Sequence, residues 1–208
     1  MLNILTPLSF KARWLNVAYH DTDGSPLREN SAILLEHRKR LAKRVALEAV
    51  NPPKILPEDL DPEHMAVVSL FMYMIGNTDF SLISGADDEC CHNAKLFRSA
   101  DTGQYLSIPY DFDASGFVRA PYREPKTRLR LPPKRKRTYR GFCVSETIMD
   151  ETLALFEQKR EALFTIATNP NLVTTRIAKE NKRTLEKFYE HISDPEELEE
   201  RILNKCRG

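Results

Sequence analysis

The stretch that decides the fold runs from residue 76 to residue 116. It opens as Gly76-Asn77-Thr78-Asp79-Phe80, passes through Cys90-Cys91-His92-Asn93-Ala94-Lys95, and closes as Pro109-Tyr110-Asp111-Phe112-Asp113-Ala114-Ser115-Gly116. An apolar run, Met65 to Ile75, leads directly into it, which predicts a buried helix with Asp79 in the loop just beyond. Two strand-like runs, Ala94 to Phe97 and Tyr105 to Tyr110, flank the turn Ala100-Asp101-Thr102-Gly103. The second acidic group therefore comes directly after a strand end. Carboxylates held at loop and strand ends, with an amide and a lysine between them, suit divalent-metal and phosphate chemistry, because Mg2+ takes one or two carboxylates plus substrate phosphate oxygens. The same residue types also fill turns for purely local reasons. Their recurrence around one hairpin favours the chemical reading.

The helix entry is well marked. Asp61-Pro62-Glu63 offers a capping residue, a proline at the first helical position and an acid in the first turn. The helix beyond it is apolar nearly all round, the mark of a buried element. Its methionines and aromatics read as core packing, and its task is to hold residues 76 to 79 rigidly.

Upstream, Phe10 to Tyr19 alternates as a strand and ends at His20-Asp21-Thr22-Asp23-Gly24, a strong turn signal. Ser31 to Leu35 reads as its partner, reached through a longer connection containing Pro26 and Asn30. Glu36 to Val50 is basic and helical in pattern, and Asn51-Pro52-Pro53 breaks it. Residues 1 to 37 thus supply strands, with no confident element before Ser9.

Downstream, Arg119 to Arg140 is the most biased segment. Arg119, Arg123, Lys126, Arg128, Arg130, Lys134, Arg135, Lys136, Arg137 and Arg140 face a single acid, Glu124, and prolines 121, 125, 132 and 133 exclude a regular helix. The segment reads as a solvated, mobile loop or as a basic lip for an anionic substrate. Three helical stretches complete the chain: Ser145 to Thr168, Leu172 to Ile192, and Asp194-Pro195 to Cys206, each with apolar spacing for one buried face.

Composition bounds the possibilities. The chain has 208 residues, 41% hydrophobic and 29% charged, which fits one α+β domain over residues 1 to 208 with its own core. A net charge of +1 does not point to nucleic acid as a partner. No apolar run reaches membrane-spanning length, and the start does not read as a signal peptide. The four cysteines, Cys90, Cys91, Cys143 and Cys206, are too scattered to read as a disulfide scaffold. Zinc on Cys90, Cys91, His92 and Cys143 fits the usual paired spacing poorly.

Asp79, then Asn93, then Asp111-Phe112-Asp113 after a hairpin resembles the catalytic half of the atypical kinase-like fold shared by HipA-type and CotH-like kinases. The combination MIGNTDFS, CCHNAKLF, IPYDFDASG and YRGFC is similar to a bacterial family related to the CotH-like group, over most of the chain. The resemblance implies a mainly helical C-lobe with β-hairpins at the hinge and the active site. It implies that Asp79 orients an acceptor hydroxyl, that Asn93 with Asp111 or Asp113 holds Mg2+, and that Lys95 contacts the phosphates of ATP. The order matches, while Ser81 to His92 intervene where such kinases place about four residues. The resemblance further implies a preceding strand-rich lobe with a clamping lysine, so this chain is expected to be a C-lobe alone. An isolated C-lobe is expected to bind Mg-nucleotide weakly or undetectably and to transfer no measurable phosphate to a protein or small-molecule acceptor. A second expectation is a non-catalytic, pseudokinase-like module whose basic loop, 119 to 140, binds an anionic partner. A metal-dependent phosphoesterase on the same acids is a third, weakened by the shortage of further His and Asp residues.

Overall fold

The computed structural model describes residues 1–52, 54–85, 90–118 and 137–208. Among these the chain is α+β, with two small antiparallel sheets and seven α-helices. Everything is arranged around the third helix, α3 (Pro62–Ile75). Asp61 caps it by accepting the His64 N–H at 2.8 Å, with Pro62 in the first turn where its missing N–H costs nothing. Val68, Leu70, Met72 and Met74 are completely buried, because α3 packs against the second sheet and against two later helices at once.

The C-terminus of α3 sets the position of the loop beyond it. Gly76 adopts φ +63, the left-handed conformation that only glycine takes without strain. Its N–H reaches Tyr73 O at 3.1 Å, and the Asn77 N–H reaches Met72 O at 2.9 Å. This pair of bonds is the Schellman closure, which satisfies the last carbonyls and turns the chain away sharply.

Strand β4 (Ala94–Ser99) pairs with β5 (Tyr105–Pro109), and β3 (Leu47–Ala49) lies on the other side of β4. The register sets Phe97 opposite Leu106 and Lys95 opposite Ile108. Leu96 packs into the main core around α3, while Phe97, Leu106 and Ile108 join Phe10, Leu41 and Ala42 in a second cluster on the opposite face. Helix α2 (Arg38–Arg44) closes that second cluster. Arg38 ties the corner together: it donates to Asn51 Oδ1 at 2.8 Å, to Leu96 O at 2.6 Å and to Val50 O, with its guanidinium 5.5 Å from the Phe97 ring centroid.

The structure corrects several sequence expectations. Residues 36 to 50 are not one helix. Ala46 takes φ +54, which ends α2, and Leu47 to Ala49 then pair with β4. The partner of β1 (Ala12–His20) starts at Pro26, not Ser31, so β2 (Pro26–Leu35) is long and its turn tight. The reason is the closure of that turn: Asp21 N–H to Ser25 O at 2.8 Å, with Gly24 at φ +84. Proline is tolerated there because it is the first residue of an edge strand. The start of the chain forms a short helix, α1 (Leu2–Leu5). The stretch 145 to 168 is two helices, α4 (Glu146–Gln158) and α5 (Arg160–Ala167), broken at Lys159. Helices α6 (Thr175–Ser193) and α7 (Pro195–Arg201) come next, with a final single turn at Leu203–Lys205.

The basic segment also reads differently. Residues 119 to 136, with the expectation of a mobile lip there, lie outside the described residues. Residues 137 to 140 are packed inside. Arg137 donates to Met74 O at 3.2 Å and to Thr184 O, and burial pulls its pKa down to about 10. Tyr139 is buried beside Tyr73, its hydroxyl pushed up to about 12 by the same loss of solvent. These arginines satisfy backbone carbonyls, which is why a run that looks basic and exposed sinks its last members into the core.

The cysteines pair. Cys90 bonds to Cys91, and Cys143 to Cys206. Cys143 is thus paired with Cys206, not grouped with Cys90, Cys91 and His92. Among the described residues, no helix is long and apolar enough to cross a membrane.

Candidate functional site

The loop leaving α3 is held from three directions. Asn77 is buried, and its Oδ1 accepts the Asp79 N–H at 2.8 Å, which fixes the backbone of the loop locally. The Ser81 N–H donates to His92 O at 3.0 Å, drawing the segment before β4 alongside. Arg140 donates to Thr78 O, and its guanidinium stands 5.6 Å from the Phe80 ring centroid. Burial lowers the Arg140 pKa, and the neighbouring Asp79 charge opposes that shift.

Asp79 sits at the centre of this arrangement with its side chain one-quarter exposed. His92 Nε2 lies 3.0 Å from Asp79 Oδ1. Asn93 Nδ2 donates to Asp79 O at 2.8 Å and to Asp79 Oδ2 at 3.2 Å. Asn93 adopts φ +57, a conformation asparagine tolerates better than most residues, and this turns its amide back toward the Asp79 loop. Asp79 and Asn93, fourteen residues apart, are thus in direct contact.

The second acidic group joins through the β4–β5 ladder. Tyr110 N–H donates to Asn93 O at 3.1 Å, so Asp111 is the first residue past the rung that holds Asn93. Asp113 N–H donates to Asp111 Oδ1 at 3.1 Å, closing a tight turn between the two acids. The loop is anchored on α3 at two points: Phe112 packs edge-on against Phe71 at 5.7 Å, and Gly116 N–H donates to Ile75 O at 2.8 Å. A Cβ at position 116 would come within 3.1 Å of Ile75 O, a tight contact that the neighbouring backbone would have to relieve by a few tenths of an ångström. Both ends of the 76–116 stretch therefore return to the C-terminus of α3. Lys95 is exposed, with its Nζ 5.1 Å from the Tyr110 ring centroid.

Two residues of the site carry little sign of their role in the sequence. His92 is legible only as the neighbour of Asn93, and its bond to Asp79 depends on how the chain folds back. Arg140 lies inside a basic run and carries no signal of its own. The oxygen-rich donors, the Asn93 amide oxygen and the carboxylates of Asp111 and Asp113, suit a hard cation such as Mg2+. Among the described residues, no three His, Cys, Asp or Glu side chains group as a metal cage. Mg2+ needs no such cage, because it takes one or two carboxylates and completes its shell with waters and phosphates.

No family model, curated protein or solved structure matches the chain.

Proposed function

We propose that this chain carries the acidic half of a kinase-like phosphotransfer site, acting with Mg2+ and ATP on the hydroxyl of a protein or small-molecule acceptor. The observation that carries the reading is the contact of Asn93 Nδ2 with Asp79, on the same strand end that leads into Asp111. Asn93 commits its amide nitrogen to Asp79, which leaves its Oδ1 on the other side of the group as a cation donor. Asp111 and Asp113 supply the negative charge, and Asp79 orients the acceptor hydroxyl. Mg2+ held by Asn93 and Asp111 or Asp113 would supply positive charge to neutralise the nucleotide phosphates, the main demand of a loose transition state. The rigid seat of the loops on α3 favours such positioning.

Calorimetry of the purified chain tests this. Mg-ATP should bind weakly, the heat should vanish when the metal is chelated, and Asp111→Asn/Asp113→Asn should weaken binding at least about tenfold, the loss of a charge-assisted metal contact. Equal heats with and without metal, or in the double variant, contradict the reading.

A second reading, a non-catalytic interaction module, has its own support. His92 already occupies Asp79 Oδ1, the carboxylate meant for an acceptor hydroxyl. The β1–β2 ribbon also exposes Trp14 and its cross-strand neighbour Ile33 side by side on one face, and exposed apolar groups of this kind mark interfaces. Binding of a protein partner that is indifferent to Mg2+ and to Asp111→Asn would favour it.

A further inference from the structure

The chain's last residues are joined to the candidate site by a continuous line of bonds. Phe142 and Arg207 form a parallel bridge, with the Cys143 N–H on Arg207 O at 2.9 Å and the Arg207 N–H on Gly141 O at 3.0 Å. Cys143 and Cys206, flanking that bridge, are disulfide-bonded with their Cα atoms 4.9 Å apart. The Arg207 guanidinium lies 4.1 Å from the Phe142 ring centroid and donates to Arg140 O at 2.6 Å. Arg140 in turn donates to Thr78 O, the carbonyl immediately before Asp79. Gly141 permits this fit, because any Cβ there would collide with the Tyr139 ring and Ser69.

We propose that the Cys143–Cys206 disulfide is a redox-controlled clasp that sets how firmly Arg140 braces the Asp79 loop. Cys143 is exposed, so a small dithiol can reach the bond, and reachable disulfides are the ones that exchange. A thiolate of the dithiol attacks one of the two sulfurs, a mixed disulfide forms, and the second thiolate of the reagent displaces it. Two electrons and two protons pass to Cys143 and Cys206, which become thiols, while the dithiol becomes a cyclic disulfide. The helices enclosed between the two cysteines are packed into the main core with α3 through Phe156, Leu163, Leu185 and Phe188, so reduction unlinks residues 203 to 208 without dismantling them. Arg207 then loses its covalent neighbour, its hold on Arg140 O weakens, and Thr78 and Asp79 gain freedom. The clasp concerns the geometry of this loop and holds whether or not the loop serves phosphate transfer.

Hydrogen exchange on the full chain, in a Cys90→Ser/Cys91→Ser background so that only one disulfide remains, tests the clasp. Dithiothreitol should raise exchange at Asn77 to Phe80 about tenfold, the loss of roughly one hydrogen bond's restraint, with exchange inside α3 unchanged. Arg207→Ala, with the disulfide intact, should reproduce the effect at the same residues. Free thiols at positions 143 and 206 in the air-oxidised protein would overturn the proposal. So would exchange that rises only at residues 203 to 208, or that rises throughout the chain, since the bond would then be a local tie or a global staple.

Discussion

Two antiparallel hairpins in this chain share a plan and differ in fate. Both pair antiparallel, and both turn at a glycine with positive φ, Gly24 in β1–β2 and Gly103 in β4–β5. In β4–β5, Phe97 and Ile108 are completely buried. In β1–β2, Trp14 is 66% exposed and its cross-strand partner Ile33 is 63% exposed. A third strand and helices cover the β4–β5 pair, whereas β1–β2 pairs only with itself. The base of β1–β2 is nevertheless secured: Glu36 accepts from Arg44 at 2.8 Å and from the Lys11 N–H at 3.0 Å, which holds its carboxyl below the usual range. Strand pattern thus fixes pairing, while stability and the placing of chemistry come from what covers the pair. The candidate site grows from the covered hairpin.

The largest effect on this contrast is expected from Phe97→Ala. It removes a fully buried ring between two faces of packing and should cost about 3–5 kcal/mol in denaturant unfolding. A cost under about 1 kcal/mol would mean that the covered hairpin is no more a core element than the open one.

Gly141→Ala comes next. The new methyl group overlaps the Tyr139 ring and Ser69 of α3, and overpacking of this kind costs about 1–3 kcal/mol. A neutral result in the same unfolding assay would show that the 137–142 strap is not seated as described.

Acid should act on the packed body and spare the ribbon. Tyr73 OH and His191 Nδ1 are 2.8 Å apart in the core, and burial, reinforced by Arg201 and Arg137, pulls the His191 pKa down to about 4. Above pH 6.5 the ring is neutral folded or unfolded, and nothing changes. Between about pH 6.5 and 4 only the unfolded state takes up the proton, so stability falls as pH falls, by roughly 1–2 kcal/mol once screening by solvent is allowed for. His191→Gln should flatten that slope. An unchanged slope would place the acid sensitivity elsewhere.

The smallest effect belongs to the open hairpin. Trp14→Ala should change stability by no more than about 0.5 kcal/mol. Trp14 is the sole tryptophan, so its emission should look water-exposed in the native protein and shift little on unfolding. Blue-shifted native emission would show that something covers the ribbon.

The sequence reaches far where a signal is local. The Asp61-Pro62 entry, the continuous apolar run of α3 and the Gly76 exit are all legible, as is the β4–β5 hairpin around Gly103. It fails where tertiary contacts override local pattern. Leu47 to Ala49 read as helix because nothing local announces the left-handed Ala46 or the waiting edge of β4. Arg137 and Arg140 read as surface charge because their carbonyl partners, Thr184 and Thr78, lie 47 and 62 residues away. The site divides in the same way. Its acids stand on strand and loop ends that the sequence marks, while the His92 and Arg140 contacts arise only from folding.

The most direct test of the proposed metal site uses Mn2+ in place of Mg2+, since both favour oxygen donors. Micromolar Mn2+ added to isotope-labelled protein should broaden the amide signals of Asn93 and of residues 111 to 113, with Asp79 next and the β1–β2 ribbon untouched. Asp111→Asn/Asp113→Asn should abolish that broadening. Broadening that is absent from these loops, or that persists in the double variant, would contradict the assignment of a metal-dependent phosphotransfer site to this part of the fold.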